Sequence, residues 1–166
     1  MINNIIFNGH VNTNGAHLVG YLYMDPIFLQ QLHSFKRSNT DIAKSHPEYT
    51  YNKSIIDNSL TFEKIIACLY QITKSNQNMF EQIDYKSTFS VSGTYKGMSF
   101  VLYDYKGDKC IHIGGTKLLD VRGLVNEMLY LVQQTKPKKF KTICTYSDSP
   151  CIYEYPPSKT TNCLIF

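Results

Sequence analysis

The sequence predicts an α+β fold: an antiparallel sheet of about five strands with helices packed on it, followed by an extended C-terminal tail. Three observations predict it. Apolar segments of strand length recur near the start and in the middle of the chain. Other segments repeat apolar residues at helical spacing, and the chain after Gln134 loses both patterns. The order that follows is β-β-α-(loop)-α-β-β-β-α-tail, and a sheet covered by helices buries the apolar side of both element types.

Each element has a local cause. Residues 2–7 and 16–24 are apolar strands. Asn8, Gly9, Asn12, Asn14 and Gly15 lie between them and tolerate positive φ, which predicts a long hairpin loop joining the two strands. Asp25-Pro26 starts a short helix, Asp as N-cap and Pro at the first helical position, with Phe28, Leu29, Leu32 and Phe35 on one side. Residues 36–58 carry polar residues and His46-Pro47 without periodicity and predict a loop or insertion. From Thr61 a helix returns, with Phe62, Ile65, Ile66, Leu69, Tyr70 and Thr73 along one stripe.

Residues 88–94, 98–105 and 110–113 then form a meander joined by turns at Tyr95-Lys96-Gly97 and Lys106-Gly107-Asp108. A last helix has Asp120 as N-cap and Val121, Leu124, Val125, Met128 and Val132 on its apolar face. Gly123 weakens it by about 1 kcal/mol relative to Ala. Residues 1–134 are thus expected as one α+β domain, and 135–166 as a basic segment and flexible tail with Tyr155-Pro156-Pro157 extended.

Over residues 2–134 this element order resembles the longin and roadblock folds. The resemblance implies a platform for small GTPases or trafficking machinery. The 36–58 segment and the additional helix depart from it. Ile113-Gly114-Gly115-Thr116-Lys117 is similar to a short stretch of profilin, whose terminal aromatic platform this sequence lacks.

Composition bounds the rest. The chain has 166 residues, 43% hydrophobic and 18% charged, which is the balance of a globular domain. No apolar run approaches the roughly 20 residues that span a bilayer. The first residues carry no secretory signal pattern, and Ile2 excludes N-myristoylation. Net charge is +4, supplied almost entirely by Lys, with Arg37 and Arg122 the only arginines. Bidentate base readout favours Arg, so sequence-specific nucleic-acid binding is not expected. The Lys, Asn, Ile and Tyr bias is that of an AT-rich genome and suits a protist or a virus of protists. The 5 cysteines include no C-x-x-C pair and predict reduced thiols, with Cys68 and Cys110 buried.

Chemistry concentrates at the end of the chain. Cys163-Leu164-Ile165-Phe166 matches a prenylation box, in which a Cys followed by two aliphatic residues accepts an isoprenoid thioether, and Phe166 selects geranylgeranyl. One lipid chain binds membranes only marginally, so a second signal is needed. Lys136, Lys138, Lys139 and Lys141 would supply it at about 1 kcal/mol each near an anionic leaflet. The same lysines are also what a helix C-terminus favours through its dipole. Palmitoylation of Cys144 or Cys151 is the alternative second anchor.

His112, with Asp104 and Asp108 near in sequence, is the weak catalytic candidate, for a hydrolase or nuclease. A turn role for Asp108 and a strand role for His112 compete with it. His10, His17, His33 and His46 show no metal spacing, so neither metal nor cofactor is expected. Phe89, Tyr95, Phe100, Tyr103 and Tyr105 are expected as core strand residues in preference to a base-stacking platform. No phosphate loop, nucleophile elbow or dinucleotide fingerprint is present. The sum is a prenylated, non-enzymatic interaction module on the cytoplasmic face of a eukaryotic membrane, with a small GTPase or trafficking factor as protein partner. The alternatives are the His112 hydrolase or nuclease and a nucleic-acid-binding module built on the Lys cluster and the strand tyrosines.

Overall fold

The computed structural model describes residues 4–9, 15–27, 59–73, 86–144 and 151–158. It is α+β. Strands β1 (Ile5–Phe7) and β2 (His17–Tyr23) precede helix α1 (Phe62–Ile72). Strands β3 (Ser90–Tyr95), β4 (Met98–Tyr103) and β5 (Ile111–Gly115) follow, then helix α2 (Val121–Gln134), β6 (Phe140–Cys144) and β7 (Cys151–Tyr155). Five strands make one antiparallel sheet in the order β1-β3-β4-β5-β2, and β6 and β7 pair as a separate hairpin.

The β3-β4-β5 meander forms as predicted. Lys96 and Gly97 have φ of 49° and 80°, the left-handed pair that a two-residue turn needs for its twist to match the flanking strands. Alternation along β3 sends Val91, Gly93 and Tyr95 inward and leaves Ser90, Ser92 and Thr94 half-buried. Gly93 has a steric cause. A side chain there would run into the Ile6 carbonyl oxygen of β1, so only glycine lets the two strands pair at this register.

The predicted β1–β2 hairpin is not what forms. β1 pairs with β3 and β2 pairs with β5, at opposite edges of the sheet. The meander leaves two open edges of unpaired backbone groups, and one N-terminal strand closes each. The intervening segment is longer than the roughly two to five residues of a common hairpin loop, so its length does not force the two strands together.

Both helices cover one face of the sheet. One buried cluster joins Leu22, Phe100, Leu102, Ile111 and Ile113 of the sheet to Ile65, Ile66 and Leu69 of α1 and Leu124, Val125 and Met128 of α2. Thr61 caps α1 by accepting from the Lys64 amide at 3.2 Å, and Asp120 caps α2 by accepting from the Gly123 amide at 3.0 Å. Tyr70, expected on the apolar stripe of α1, is half-exposed, with its ring against Phe140. Asn4 clamps the N-terminal segment onto α2 through its backbone N–H and side-chain amide, both donated to Glu127. At Asp25-Pro26 the expected helix start is present, Asp25 Oδ1 accepting from the Ile27 amide at 2.9 Å. The remainder of that helix and the 36–58 segment lie outside the described residues.

The fold continues beyond Gln134, where the sequence predicted only a basic segment and tail. Phe140, Cys144 and Tyr153 of the β6–β7 hairpin belong to the same buried cluster as the helices and main sheet. Tyr153 meets Phe62 of α1 edge-on, ring centroids 4.9 Å apart.

Candidate functional site

Two constellations carry the polar chemistry of the described residues. The first surrounds the β4–β5 turn. His112 sits mid-strand in β5, directly opposite Tyr103 of β4 and Tyr21 of β2. It lies on the sheet face away from the helices, because Ile111 and Ile113 on either side of it point into the core. Tyr103 stacks on its ring at 5.2 Å and 19°, and the Tyr21 ring lies 4.8 Å away. Its Nε2 is 2.6 Å from Asp108 Oδ2. The other Asp108 oxygen accepts from the amides of Tyr105 and Cys110, an Asx turn that holds the carboxylate beneath the imidazole. Burial, and the Asp108 charge after it, push the Tyr103 phenol above its ordinary value.

Asp104, the other predicted partner of His112, is directed elsewhere. It is fully buried on the core side, where Oδ1 accepts from the amides of Thr88 and Phe89 and Oδ2 accepts from the Tyr153 hydroxyl. Burial raises its carboxyl above the ordinary value, against the opposing effect of these hydrogen bonds. Asp104 is therefore a fastening point between β4 and the hairpin. Of the two carboxylates, His112 meets Asp108 alone.

Cys110 is buried beside this turn. Its sulfur accepts from the Asp25 amide, and burial above all pushes the thiol up to about 12, which leaves it no nucleophile. Only 7% of His112 is exposed, with tyrosine rings on both neighbouring strands. Among the described residues, no group of three or more His, Cys, Asp or Glu is placed to hold a metal ion. Gly114 and Gly115 are strand residues of β5 paired with β2 and β4, so they form no phosphate-cradling loop. Phe89, Tyr95 and Phe100 are buried, as expected of core strand residues; Tyr103 is half-buried and Tyr105 exposed.

The second constellation is the β6–β7 hairpin. Its inward residues are Phe140, Thr142 and Cys144, with Tyr155 and Tyr153 opposite the first two. Its outward residues are Lys141 and Ile143, opposite Glu154 and Ile152. Lys136, Lys138, Lys139 and Lys141 are all exposed, and none makes an ion pair among the described residues. Lys139 and Lys141 line a shallow cleft of about 400 Å³ with Glu154, Tyr155 and Ser158. Cys144 is buried, so palmitoylation there would require the hairpin to open. Sequence reasoning missed the cross-strand Ile143–Ile152 pair and the role of Tyr153, although two-residue alternation through 140–144 and 151–155 is the pattern that carries both.

Cys163 lies outside the described residues, as do His10, His33 and His46. No helix among the described residues is long and apolar enough to cross a membrane. Comparison with protein-family models, with curated proteins and with solved structures finds no match.

Proposed function

We propose that the protein is a peripheral membrane interaction module, anchored by a geranylgeranyl group on Cys163 and carrying its partner-binding surface on the folded domain. The observation that carries this is the string Cys163-Leu164-Ile165-Phe166. Two features of the fold support it. Pro156 and Pro157 are exposed, so the chain leaves β7 in solvent, where a transferase needs an extended peptide. Exposed Lys136, Lys138 and Lys139 precede the hairpin from which that segment emerges, exposed Lys141 lies in its first strand, and together they supply the electrostatic signal that a single lipid chain requires.

The full chain expressed in a eukaryotic cell tests the anchor by intact mass. The expected species carries a geranylgeranyl thioether and has lost Leu164, Ile165 and Phe166; the same spectrum checks that Phe166 is the carboxyl terminus. An N-terminal fluorescent fusion should move from membrane to cytosol with Cys163→Ser. A free thiol together with a retained Phe166 sinks the reading.

The 2.6 Å contact between His112 and Asp108 favours a second reading, a hydrolase with His112 as general base oriented by Asp108. Under it, generic ester or phosphodiester turnover should vanish with His112→Gln. Turnover that is absent, or that the substitution leaves unchanged, removes it.

A further inference from the structure

We propose that the outward face of the β6–β7 hairpin is itself a membrane-docking surface, entering an anionic bilayer with Ile143 and Ile152 while the adjoining lysines engage headgroup phosphates; the inference deepens the anchored reading and rests on it for its biological setting. Ile143 and Ile152 are direct cross-strand partners, 52% and 50% exposed, and together form an apolar patch on this face. A pair of large aliphatic side chains held side by side on a rigid ribbon is costly in water and is removed from it by the interfacial region of a bilayer.

Charge selects this occupant. Along the strand the face runs from Lys139 and Lys141 to Ile143, with Lys136 and Lys138 exposed just upstream. Among the described residues, the acidic group on the same face is Glu154, directly opposite Lys141. An apolar patch flanked on one side by cations is a layout that suits a negatively charged interface, apolar groups at the acyl boundary and ammonium groups among the phosphates. The cleft lined by Lys139, Lys141, Tyr155 and Ser158, with Glu154 also on its wall, gives a headgroup room beside the patch, the two ammonium groups outnumbering the one carboxylate. The inner face is fixed to the domain by Tyr153, Phe140 and Cys144, so the hairpin meets the bilayer as a rigid edge. Docking in this way would set the orientation of the anchored domain.

The test uses the unmodified full chain made in bacteria, which separates this surface from the prenyl group. Wild type should sediment with vesicles of phosphatidylcholine and phosphatidylserine and not with phosphatidylcholine alone. Replacing Lys138, Lys139 and Lys141 by Gln should weaken binding about 100-fold. The pair Ile143→Ser with Ile152→Ser should weaken it about 10-fold with unchanged thermal unfolding. The chain contains no tryptophan, so Ile143→Trp is a clean reporter whose emission should shift to the blue on serine-containing vesicles and be quenched by brominated lipids. Failure of the wild type to sediment, or emission that vesicles leave unchanged, overturns the proposal. So does retention on an acidic peptide matrix without vesicle binding, which would assign the face to a protein partner. An unmodified Cys163 in the mass experiment would overturn the anchor and leave these vesicle results standing.

Discussion

The Tyr153 hydroxyl donates a 2.9 Å hydrogen bond to Asp104 Oδ2, joining positions 49 residues apart inside the core. Neither residue has any exposed surface. The contact brings the β6–β7 hairpin, with its lysines and isoleucines, under the control of the main sheet. Tyr153→Phe keeps the ring against Phe62 but leaves a buried carboxyl short of one donor. It should cost about 1.5–3 kcal/mol, read as a lowered urea midpoint with an unchanged slope. A loss below about 0.5 kcal/mol would mean that the hydroxyl is dispensable.

The same carboxyl predicts a pH dependence. Burial raises Asp104 above its ordinary 3.8, so the folded chain holds the proton to higher pH than the unfolded chain does. The stability this group contributes is therefore fully present below 3.8 and falls as pH rises toward the raised native value. Asp104→Asn cannot titrate, and its carbonyl can still accept from Thr88 and Phe89. Relative to wild type, the variant should gain stability as pH rises above about 4 and then level off. Denaturant unfolding from acid to neutral pH measures the difference. A difference that is flat with pH, or that turns toward wild type, would mean that burial does not raise this carboxyl.

What could be read from sequence was what is decided locally. The meander turn at Lys96-Gly97, the caps at Thr61 and Asp120 and the apolar stripes of both helices each depend on residues a few positions apart. Which edge β1 and β2 occupy does not; it follows from the open edges of a meander far along the chain. The hairpin at 140–155 escaped because lysines and prolines crowd the alternation that Phe140, Cys144, Tyr153 and Tyr155 carry. At the histidine, nearness in sequence suggested Asp104 and Asp108 equally. Strand alternation separates them, since Asp104 turns to the core beside Leu102 while His112 points to the opposite face.

The Asp108 turn yields a graded prediction. Its carboxylate serves two amides and His112, so Asp108→Ala should cost about 2 kcal/mol. Asp108→Asn keeps an oxygen for the turn amides and should cost less than half as much. Thermal unfolding of the two variants distinguishes the contributions. Equal losses would place the whole effect in the contact with His112.

Gly123 reverses the usual preference of a helix. Alanine is favoured over glycine in helix interiors by about 1 kcal/mol, which would make Gly123→Ala stabilising. Here a Cβ would lie 2.6 Å from the Tyr95 hydroxyl oxygen and 2.5 Å from Asp120 Oδ2. Tyr95 is buried and its ring cannot yield cheaply, and Asp120 can withdraw only by loosening the cap it gives to the Gly123 amide. Overpacking of this kind costs about 1–3 kcal/mol, so the substitution should destabilise. Tyr95→Phe removes the hydroxyl and one of the two collisions, so in that background Gly123→Ala should cost clearly less. A double-mutant cycle by denaturant unfolding gives the coupling directly. Additive losses would mean that the hydroxyl does not oppose the methyl group, and that the penalty comes from the cap alone.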